Sequence, residues 1–290
     1  MKTAYGAFFG MSILFAVGLA QADVAAVHYH KALALKNQKK TDLAILELKK
    51  ALANREDYAA AHLSLGILYR QQKEYSKAIF HLEKAADLEP KSAEAHLSLG
   101  KAYHYVGRKE EALVSLEKAL KLDPNDLHIR YTLGVMFLGK DPTKAIEYLH
   151  AVVKAKPTEA DFNHQLGLAY RKATNQLTGP KNKDKRTEFL KEAEKYLLKA
   201  AAVKEDAGLE FDLGVLFRRT ERASLAIEHY ENAVRLDPRM AAAFWDLGIL
   251  YSQAKEYGNA IRCYENYEKL TGGKDNIAKK RLEELREKTK

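Results

Sequence analysis

A Leu-Gly dipeptide recurs along the chain at nearly constant intervals, and this repetition limits the fold more than any other feature. The six glycines are separated by 34, 34, 33, 47 and 34 residues, and each is followed three residues later by Tyr or Phe. The dipeptides are Leu65-Gly66, Leu99-Gly100, Leu133-Gly134, Leu166-Gly167, Leu213-Gly214 and Leu247-Gly248. Repetition at a period of this length predicts an array of similar structural units rather than one globular core.

Within each unit, apolar and small residues recur at helical spacing in two halves. In one unit the second half carries Ala78, Leu82 and Ala85 and ends at Pro90, and a short polar link at 72–74 separates the halves. The pattern predicts two antiparallel helices per unit. Because a single helix pair buries only one of its faces, the units are expected to stack on one another.

The order Leu-Gly, an aromatic residue, Ala, a large apolar residue, Ala and Pro resembles the tetratricopeptide repeat (TPR) family. The resemblance implies an all-α fold, a right-handed superhelical solenoid of antiparallel helix pairs that ends in a capping helix. The first repeat is degenerate, because Ala32 replaces the glycine and Glu56 replaces the proline. The predicted domain spans 23–290, with repeats at 25–58, 59–92, 93–126, 127–159, 160–206, 207–240 and 241–274 and the capping helix at 275–290.

The capping helix is predicted from an amphipathic pattern. Ile277, Leu282 and Leu285 are expected to face inward, and charged residues occupy most other positions of the segment. Atypical terminal segments of this kind close the open end of a repeat array.

The fifth repeat is longer than the others, and its extra residues lie near 172–186. They include turn-forming residues and cations without apolar periodicity, so an exposed, mobile loop is predicted there. Two interpretations are open, a solvated insertion or a basic docking loop for an acidic partner. The cations of this loop are Lys181, Lys183, Lys185 and Arg186.

Residues 1–22 have the pattern of a secretory signal peptide. Lys2 precedes an uncharged run at 4–19, and small residues end the segment at 20–22. Cleavage is predicted between Ala22 and Asp23, which would leave an exported chain without stable membrane insertion. The alternative is an uncleaved N-terminal anchor, for which the run is barely long enough to span a ~30 Å hydrocarbon core.

The TPR resemblance also implies where a partner binds. In the family, the first helix of each repeat lines a concave groove through its second, fifth, ninth and twelfth positions, and here these positions include apolar, aromatic and cationic residues. Together with two aspartates at the sixth position, the implied groove residues are Tyr29, Leu63, Arg70, Leu97, Lys101, Tyr131, Val135, His164, Arg171, Phe211, Asp212, Arg218, Trp245 and Asp246. Such a surface suits an extended or helical protein segment with apolar anchors and some acidic residues.

Each group of groove residues also has a purely structural interpretation. The apolar residues are of the type that packs between neighbouring repeats, and cations in the last turn of a helix stabilise its dipole without any ligand. Asp212 and Asp246 are expected either to capture a basic group of the partner or to be solvated.

The sequence offers little for catalysis or for a metal site. The closest histidines, His28 and His30, have no Cys or carboxylate cluster at ligand spacing, and Cys263 is the only cysteine. The sequence has no phosphate-binding glycine loop, nucleophile elbow or His-Glu metal motif. We therefore expect no catalytic residue, no metal and no cofactor.

Charge and repeats together define the expected function. The net charge is +9, but 48 basic residues are offset by 39 acidic residues spread along the chain, so nucleic acid is not an expected partner. The sequence predicts an exported, periplasmic or secreted, non-catalytic scaffold or adaptor that binds a protein or peptide ligand in its groove. Other bacterial TPR proteins assist envelope assembly or secretion, so the resemblance implies such a setting.

Two other functions are alternatives. The first is binding of envelope polysaccharide by the aromatic and cationic groove residues, and the second, weaker one is nucleic-acid binding through the basic loop. The sequence leaves the oligomeric state open, with a homo-oligomer among the options.

Overall fold

The computed structural model describes residues 24–289, and every regular element in that range is helical. The all-α repeat array expected from the sequence is confirmed. The predicted signal peptide, residues 1–22, and its cleavage site lie outside the described residues. The helices are α1 (24–37), α2 (Thr41–Asn54), α3 (Ala59–Gln71), α4 (Tyr75–Leu88), α5 (Ala93–Tyr105), α6 (Lys109–Leu122), α7 (Leu127–Phe137), α8 (Pro142–Ala155), α9 (Ala160–Ala173), α10 (Lys183–Ala201), α11 (Ala207–Arg219), α12 (Ala223–Leu236), α13 (Ala241–Gln253), α14 (Tyr257–Thr271) and α15 (Asn276–Glu287).

The helices α1 to α14 alternate between the first and the second helix of a repeat. The odd-numbered helices are the first helices, and the even-numbered ones are the second helices. The described chain forms two compact units, unit 1 up to Thr132 and unit 2 from Leu133, and the boundary falls within α7. In unit 1, α3 packs on α4, α5 packs on α6, and α3 also contacts α5.

In unit 1, the two helices of a repeat approach closely because a glycine faces a leucine. Gly66 on α3 lies against Leu82 on α4, and a Cβ at residue 66 would come within 2.5 Å of the Leu82 Cγ. Gly100 and Leu116 form the same contact between α5 and α6. Both leucines are fully buried, so the recurring glycines make room for a core leucine in each of these repeats.

In the last two repeats of unit 2, tyrosine takes the place of this leucine. The ring of Tyr230 lies against Gly214, where a Cβ would come within 2.6 Å of it, and Tyr264 lies against Gly248. Both tyrosines are fully buried. The larger side chain therefore makes glycine still more necessary at these two positions.

The predicted loop at 172–186 is shorter than expected, because only 174–179 have no helical structure. A one-turn 3₁₀ helix at Pro180–Asn182 leads into α10, so the insertion divides between an irregular segment and an N-terminal extension of a second helix. Asp184 lies in the first turn, where a carboxylate stabilises the helix dipole. The first turns of α10 are largely exposed, which is why the segment shows no apolar period.

The cations of the predicted docking loop are consequently not on one loop. Lys181 belongs to the 3₁₀ turn, whereas Lys183, Lys185 and Arg186 lie in the first turns of α10. Arg186 is half-buried, and its Nη1 donates to the Leu177 carbonyl oxygen at 3.5 Å.

The C-terminal helix α15 packs on α14 as an amphipathic helix, with one correction to its inner face. The backbone amides of Ile277 and Ala278 donate to the Asp275 carboxylate, which caps the helix. Ala278, Leu282 and Leu285 are buried, but Ile277 is 62% exposed. Ile277 was expected to face inward, and it does not because the buried face follows the register of Ala278, about 100° further around the helix.

Candidate functional site

The expected groove residues lie on first helices, which contact one another in each unit. In unit 1, α3 contacts α5, and in unit 2, α9 contacts α11. Each unit therefore has a surface made by first helices, called here its first-helix face. Tyr131 and Val135 lie on α7, at the boundary of the units, and both are half-buried.

The first-helix face of unit 1 is mainly apolar and has two cations close together. Leu63 is half-buried and Leu97 is buried. Burial and the nearby charge of Arg70 lower the pKa of Lys101, although Asp126 acts in the opposite direction. Tyr29 packs against the ring of Tyr58 with a centroid distance of 5.0 Å.

In unit 2, Asp212 joins two first helices through its carboxylate. It accepts a hydrogen bond from His164 Nε2 at 2.8 Å and one from Arg171 Nη2 at 2.5 Å. All three side chains are largely buried. Asp212 was expected to be solvated or to capture a partner's cation; instead it is occupied by two residues of its own chain.

Asp246 has a similar role one repeat further along. It is 8% exposed, accepts a hydrogen bond from Tyr230 Oη at 3.0 Å, and lies 3.3 Å from Arg218 Nη1. Burial and the carboxylate of Asp246 raise the pKa of Tyr230, which keeps the hydroxyl protonated as a donor. The expectation of a solvated Asp246 is therefore wrong, because the helix α12 covers it.

These aspartates hold arginines at the edge of a cleft in unit 2 that has a volume of about 700 Å³. Its polar lining includes Arg171, Arg218 and Arg219, with Glu221 as an acidic residue. Its apolar lining includes Val215 and Ile249. The cleft thus combines an apolar floor with three arginines, two of which, Arg171 and Arg218, are already paired with aspartates.

Arg219 is the arginine of the cleft that pairs with no carboxylate of residues 24–289. Its Nη1 donates to the neutral Asn175 Oδ1 at 2.5 Å. Burial lowers the pKa of Arg219, and the charges of Arg171 and Arg186 lower it further. An anion bound here would relieve this repulsion.

Two of the aromatic groove residues are occupied by packing within unit 2. The ring of Phe211 lies 5.5 Å from that of Tyr230, and the ring of Trp245 lies 5.4 Å from that of Tyr264. The guanidinium of Arg281 lies 5.7 Å from the centroid of Trp245. Both ring contacts join the two helices of a single repeat, 207–240 for Phe211 and 241–274 for Trp245, so they do not show the expected packing between neighbouring repeats.

Other polar clusters of the described residues are held by hydrogen bonds. His62 Nδ1 and His81 Nδ1 are 2.9 Å apart, and His62 Nε2 lies 3.0 Å from the Glu56 carbonyl oxygen. Burial raises the pKa of the Cys263 thiol to about 11. Within 24–289, no group of three or more His, Cys, Asp or Glu side chains could hold a metal ion.

Sequence reasoning placed Arg171, Arg218 and Asp212 on this face but missed two features. The amide of Asn175, which holds Arg219, follows the end of α9 and has no periodic signal. The contribution of Arg186 depends on the lengthened α10, which the sequence pattern did not predict. In the part of the chain that the structure describes, no helix has both the length and the apolar character required to cross a bilayer.

Comparisons with known proteins agree with this architecture. Four family models match the chain, one described as TPR repeat at 66–107 and three described as tetratricopeptide repeat at 25–58, 93–126 and 211–273. No curated protein sequence is significantly similar to the chain.

Several solved structures share the fold. A chain of the APC/C hetero-tetramer Cut9-Hcn1 is similar over 88% of this chain with a TM-score of 0.66 and 16% identity, but this chain spans only 48% of it. A tetratricopeptide repeat protein from Parabacteroides merdae has a TM-score of 0.63 and 14% identity, covering 91% of this chain and 99% of its own. YrrB, a TPR protein described as having an unusual peptide-binding site, has a TM-score of 0.50 and 22% identity, covering 63% and 87%.

The repeat pattern, the helix pairs and the family matches agree with one another. The chain therefore carries tetratricopeptide repeats in an all-α repeat array.

Proposed function

We propose that the chain is a non-catalytic scaffold that binds an acidic, partly apolar protein segment in the cleft of unit 2. The observation that carries the proposal is the convergence of Arg171, Arg218 and Arg219 beside an apolar floor. Carboxylates of the ligand would pair with the guanidinium groups, and its apolar side chains would cover Val215 and Ile249.

The two buried aspartates prepare this cleft for a ligand. Asp212 fixes Arg171, and Asp246 lies against Arg218, so these guanidinium groups lose less side-chain entropy when they bind a carboxylate. Arg219, held by the neutral Asn175 amide, supplies the charge that has no internal carboxylate. A bidentate contact from arginine matches the geometry of a planar carboxylate, so acidic side chains of a peptide or its C-terminus suit this cleft.

The similarity to YrrB supports a peptide as the ligand, since that TPR protein is described as having a peptide-binding site. We further propose that the chain is exported and acts in assembly or secretion at the bacterial envelope. This proposal rests on the signal-peptide pattern of residues 1–22. The fate of that segment is tested by N-terminal sequencing of the exported protein, where an N-terminus at Asp23 supports it and an intact Met1 overturns it.

The peptide proposal is tested with two fluorescent synthetic peptides that share the same leucines and differ only in carrying Glu or Lys between them. Anisotropy is measured with the full chain, with Arg219→Glu and with Arg262→Glu. Arg262 is exposed on α14 and serves as a matched control because it carries the same charge away from the cleft.

We expect the Glu peptide to bind, the Lys peptide not to bind, and Arg219→Glu to weaken binding at least tenfold, or about 1.4 kcal/mol. Arg262→Glu should bind as the unmodified chain does. Equal binding of the two peptides, or equal binding by Arg219→Glu and Arg262→Glu, would contradict the proposed site.

A further inference from the structure

The second helices of unit 1 carry exposed apolar residues at one repeated position. Leu46 on α2, Phe80 on α4 and Val114 on α6 each lie two residues before a buried core leucine, and they are 48%, 54% and 67% exposed. We call these three residues the apolar stripe. The corresponding residues of unit 2 are all charged, namely Glu147, Lys195, Glu228 and Arg262. Exposed apolar residues that recur along the surface of a repeat array are a sign of an interface.

A row of lysines borders the apolar stripe on one side. Each stripe residue is followed four residues later by a lysine, and residues four apart lie on the same face of a helix. The three lysines, Lys50, Lys84 and Lys118, are all exposed. Neither Lys84 nor Lys118 forms an ion pair with any residue of 24–289.

A partly acidic row borders the stripe on the opposite side. Four residues before each stripe residue lie Asp42, Ser76 and Glu110, all exposed. Glu110 forms no ion pair with the described residues, and Asp42 accepts a hydrogen bond from the Gln72 amide at 2.8 Å. The surface therefore has three parallel rows in the order acidic or hydroxyl, apolar, and basic.

We propose that this face of unit 1 binds a second copy of the same chain as a twofold symmetric dimer. A twofold axis along the apolar stripe places each helix against the same helix of the other copy, running in the opposite direction. Phe80 then meets Phe80 of the other copy, Lys118 meets Glu110, and Lys50 meets Asp42. A twofold axis parallel to the helices would instead place Lys50 against Lys118, which repel each other.

The order of the three rows favours a second copy of the chain over a membrane or a nucleic acid as the binding partner. An anionic membrane or a nucleic acid would be attracted by the lysines but repelled by Asp42 and Glu110. The same surface turned over supplies an opposite charge to Lys50 and Lys118, a hydroxyl to Lys84, and matches the apolar stripe with itself. Because the stripe has one residue per helix, the contact belongs to the small, transient class of interfaces.

The experiment is sedimentation velocity of the full chain at rising concentration, up to about 100 μM, where an interface of the transient class becomes populated. We expect a monomer that converts to a dimer as the concentration rises. Phe80→Glu should remain monomeric, while Glu228→Lys, at the corresponding position of unit 2, should dimerise as the unmodified chain does. Circular dichroism of each variant verifies the fold, since all the substituted side chains are exposed or half-exposed.

Exchanging the charges of Lys118 and Glu110 tests whether the two copies pack with their helices antiparallel. Lys118→Glu and Glu110→Lys should each weaken the dimer about tenfold, and the double variant should restore it because Lys and Glu again face each other across the axis. A chain that stays monomeric at the highest concentration overturns the proposal. A dimer that persists in Phe80→Glu also overturns it, since the association then lies elsewhere, including residues 1–23. A double variant no tighter than the single ones overturns the antiparallel arrangement.

Discussion

Both units are built from the same kind of helix pair, but they differ in the side chains on their second helices and on their first-helix faces. In unit 1 the second helices expose Leu46, Phe80 and Val114, and the first-helix face is mostly packed apolar side chains. In unit 2 the second helices expose charges at those positions, and the first-helix face has carboxylates that bind arginines across repeats. The repeat pattern thus determines the core residues of both units. The units differ in the side chains around that core, which are exposed and apolar on the second helices of unit 1 and form ion pairs on the first-helix face of unit 2.

The cores differ as well. The glycine of a repeat faces leucine in unit 1 but a tyrosine in the last two repeats of unit 2. A buried tyrosine brings a hydroxyl that must find a hydrogen-bond partner, and Tyr230 finds it in Asp246. In unit 2 the core is consequently connected to the first-helix face by a hydrogen bond, a connection that a leucine cannot make.

The largest expected effect comes from a methyl group at the glycine that faces Tyr230. Gly214→Ala places a Cβ within 2.6 Å of a rigid, fully buried ring and should lower the free energy of unfolding by about 3 kcal/mol. Gly66→Ala should cost about 1–2 kcal/mol, because a leucine is more flexible than a tyrosine ring, although the added Cβ also comes within 3.1 Å of the Ala78 carbonyl oxygen. Urea unfolding followed by circular dichroism measures both.

The matched control for these substitutions is Gly258→Ala on α14, where an added Cβ meets nothing within 4 Å. This change should raise the free energy of unfolding by no more than about 0.5 kcal/mol, because Gly258 lies in the first turn of α14, where helix propensity counts for less than in the interior. A larger loss for Gly66→Ala than for Gly214→Ala would refute the contrast between the two cores.

The next largest loss of stability is expected when the hydrogen bond between Tyr230 and Asp246 in unit 2 is removed. Tyr230→Phe removes the donor to the buried Asp246 and should cost about 1–3 kcal/mol, the penalty for a buried acceptor left with one partner fewer. Tyr105→Phe, on an exposed ring of unit 1, should change stability by no more than about 0.5 kcal/mol. If both variants unfold at the same urea concentration, Tyr230 does not stabilise Asp246.

Acid should act on unit 1 through the histidine pair. Burial and then the nearby charges of His62 and Lys49 lower the pKa of His81 from 6.5 to about 4. The unfolded chain therefore binds a proton at a higher pH than the folded chain, and stability falls as the pH decreases from about 6.5 to about 4. With allowance for partial exposure, the loss should be about 1–2 kcal/mol.

His81→Ser is the matched variant for this pH effect, because Ser115 occupies the corresponding position of the next repeat. The difference in unfolding free energy between the unmodified chain and His81→Ser should shrink as the pH falls through this range. A difference that stays constant from pH 7 to pH 4 would show that His81 does not titrate in the expected window.

The smallest effects are expected in the turns within repeats. Lys73 in unit 1 and Glu221 in unit 2 both have positive φ, near 60°, a conformation that glycine adopts without strain. Replacing either by Gly should change stability by about 0.5 kcal/mol or less, since relieved strain is offset by unfolded-state entropy. Glu221 also lines the cleft, so Glu221→Gly should tighten the acidic peptide about twofold, whereas Lys73→Gly should not. Equal peptide affinity of the two variants would contradict the electrostatic role of the cleft.

Much of the fold could be predicted because the core residues that contact each other within a repeat are close together in the sequence and recur from repeat to repeat. Gly66 and Leu82 are only 16 residues apart, and their types and spacing recur in each repeat. The length of α10 could not be predicted in this way, since its first turns are largely exposed and carry no apolar period. Ile277 was misplaced for a related reason, because in a short helix one residue of register moves a side chain from the core into solvent.

The candidate site was less predictable than the fold. The positions of Arg171, Asp212 and Arg218 followed from the TPR resemblance, but their mutual contacts did not. His164 and Asp212 are 48 residues apart in the chain, and only the packing of α11 on α9 brings them together. Whether an aspartate is solvated, captures a ligand or binds its own chain depends on these distant neighbours, and no local pattern records it.

The hydrogen bonds of Asp212 and Asp246 limit how the repeats of such a chain can be duplicated, deleted or exchanged during evolution. Each bond joins side chains that belong to neighbouring repeats, His164 and Asp212 in one case and Tyr230 and Asp246 in the other. A repeat of unit 2 that is copied, deleted or exchanged therefore leaves a buried carboxylate without its donor, unless the adjoining repeat changes with it. The repeats at 59–92 and 93–126 have leucine and serine at the positions of Tyr230 and Asp246, so they can be exchanged without that penalty.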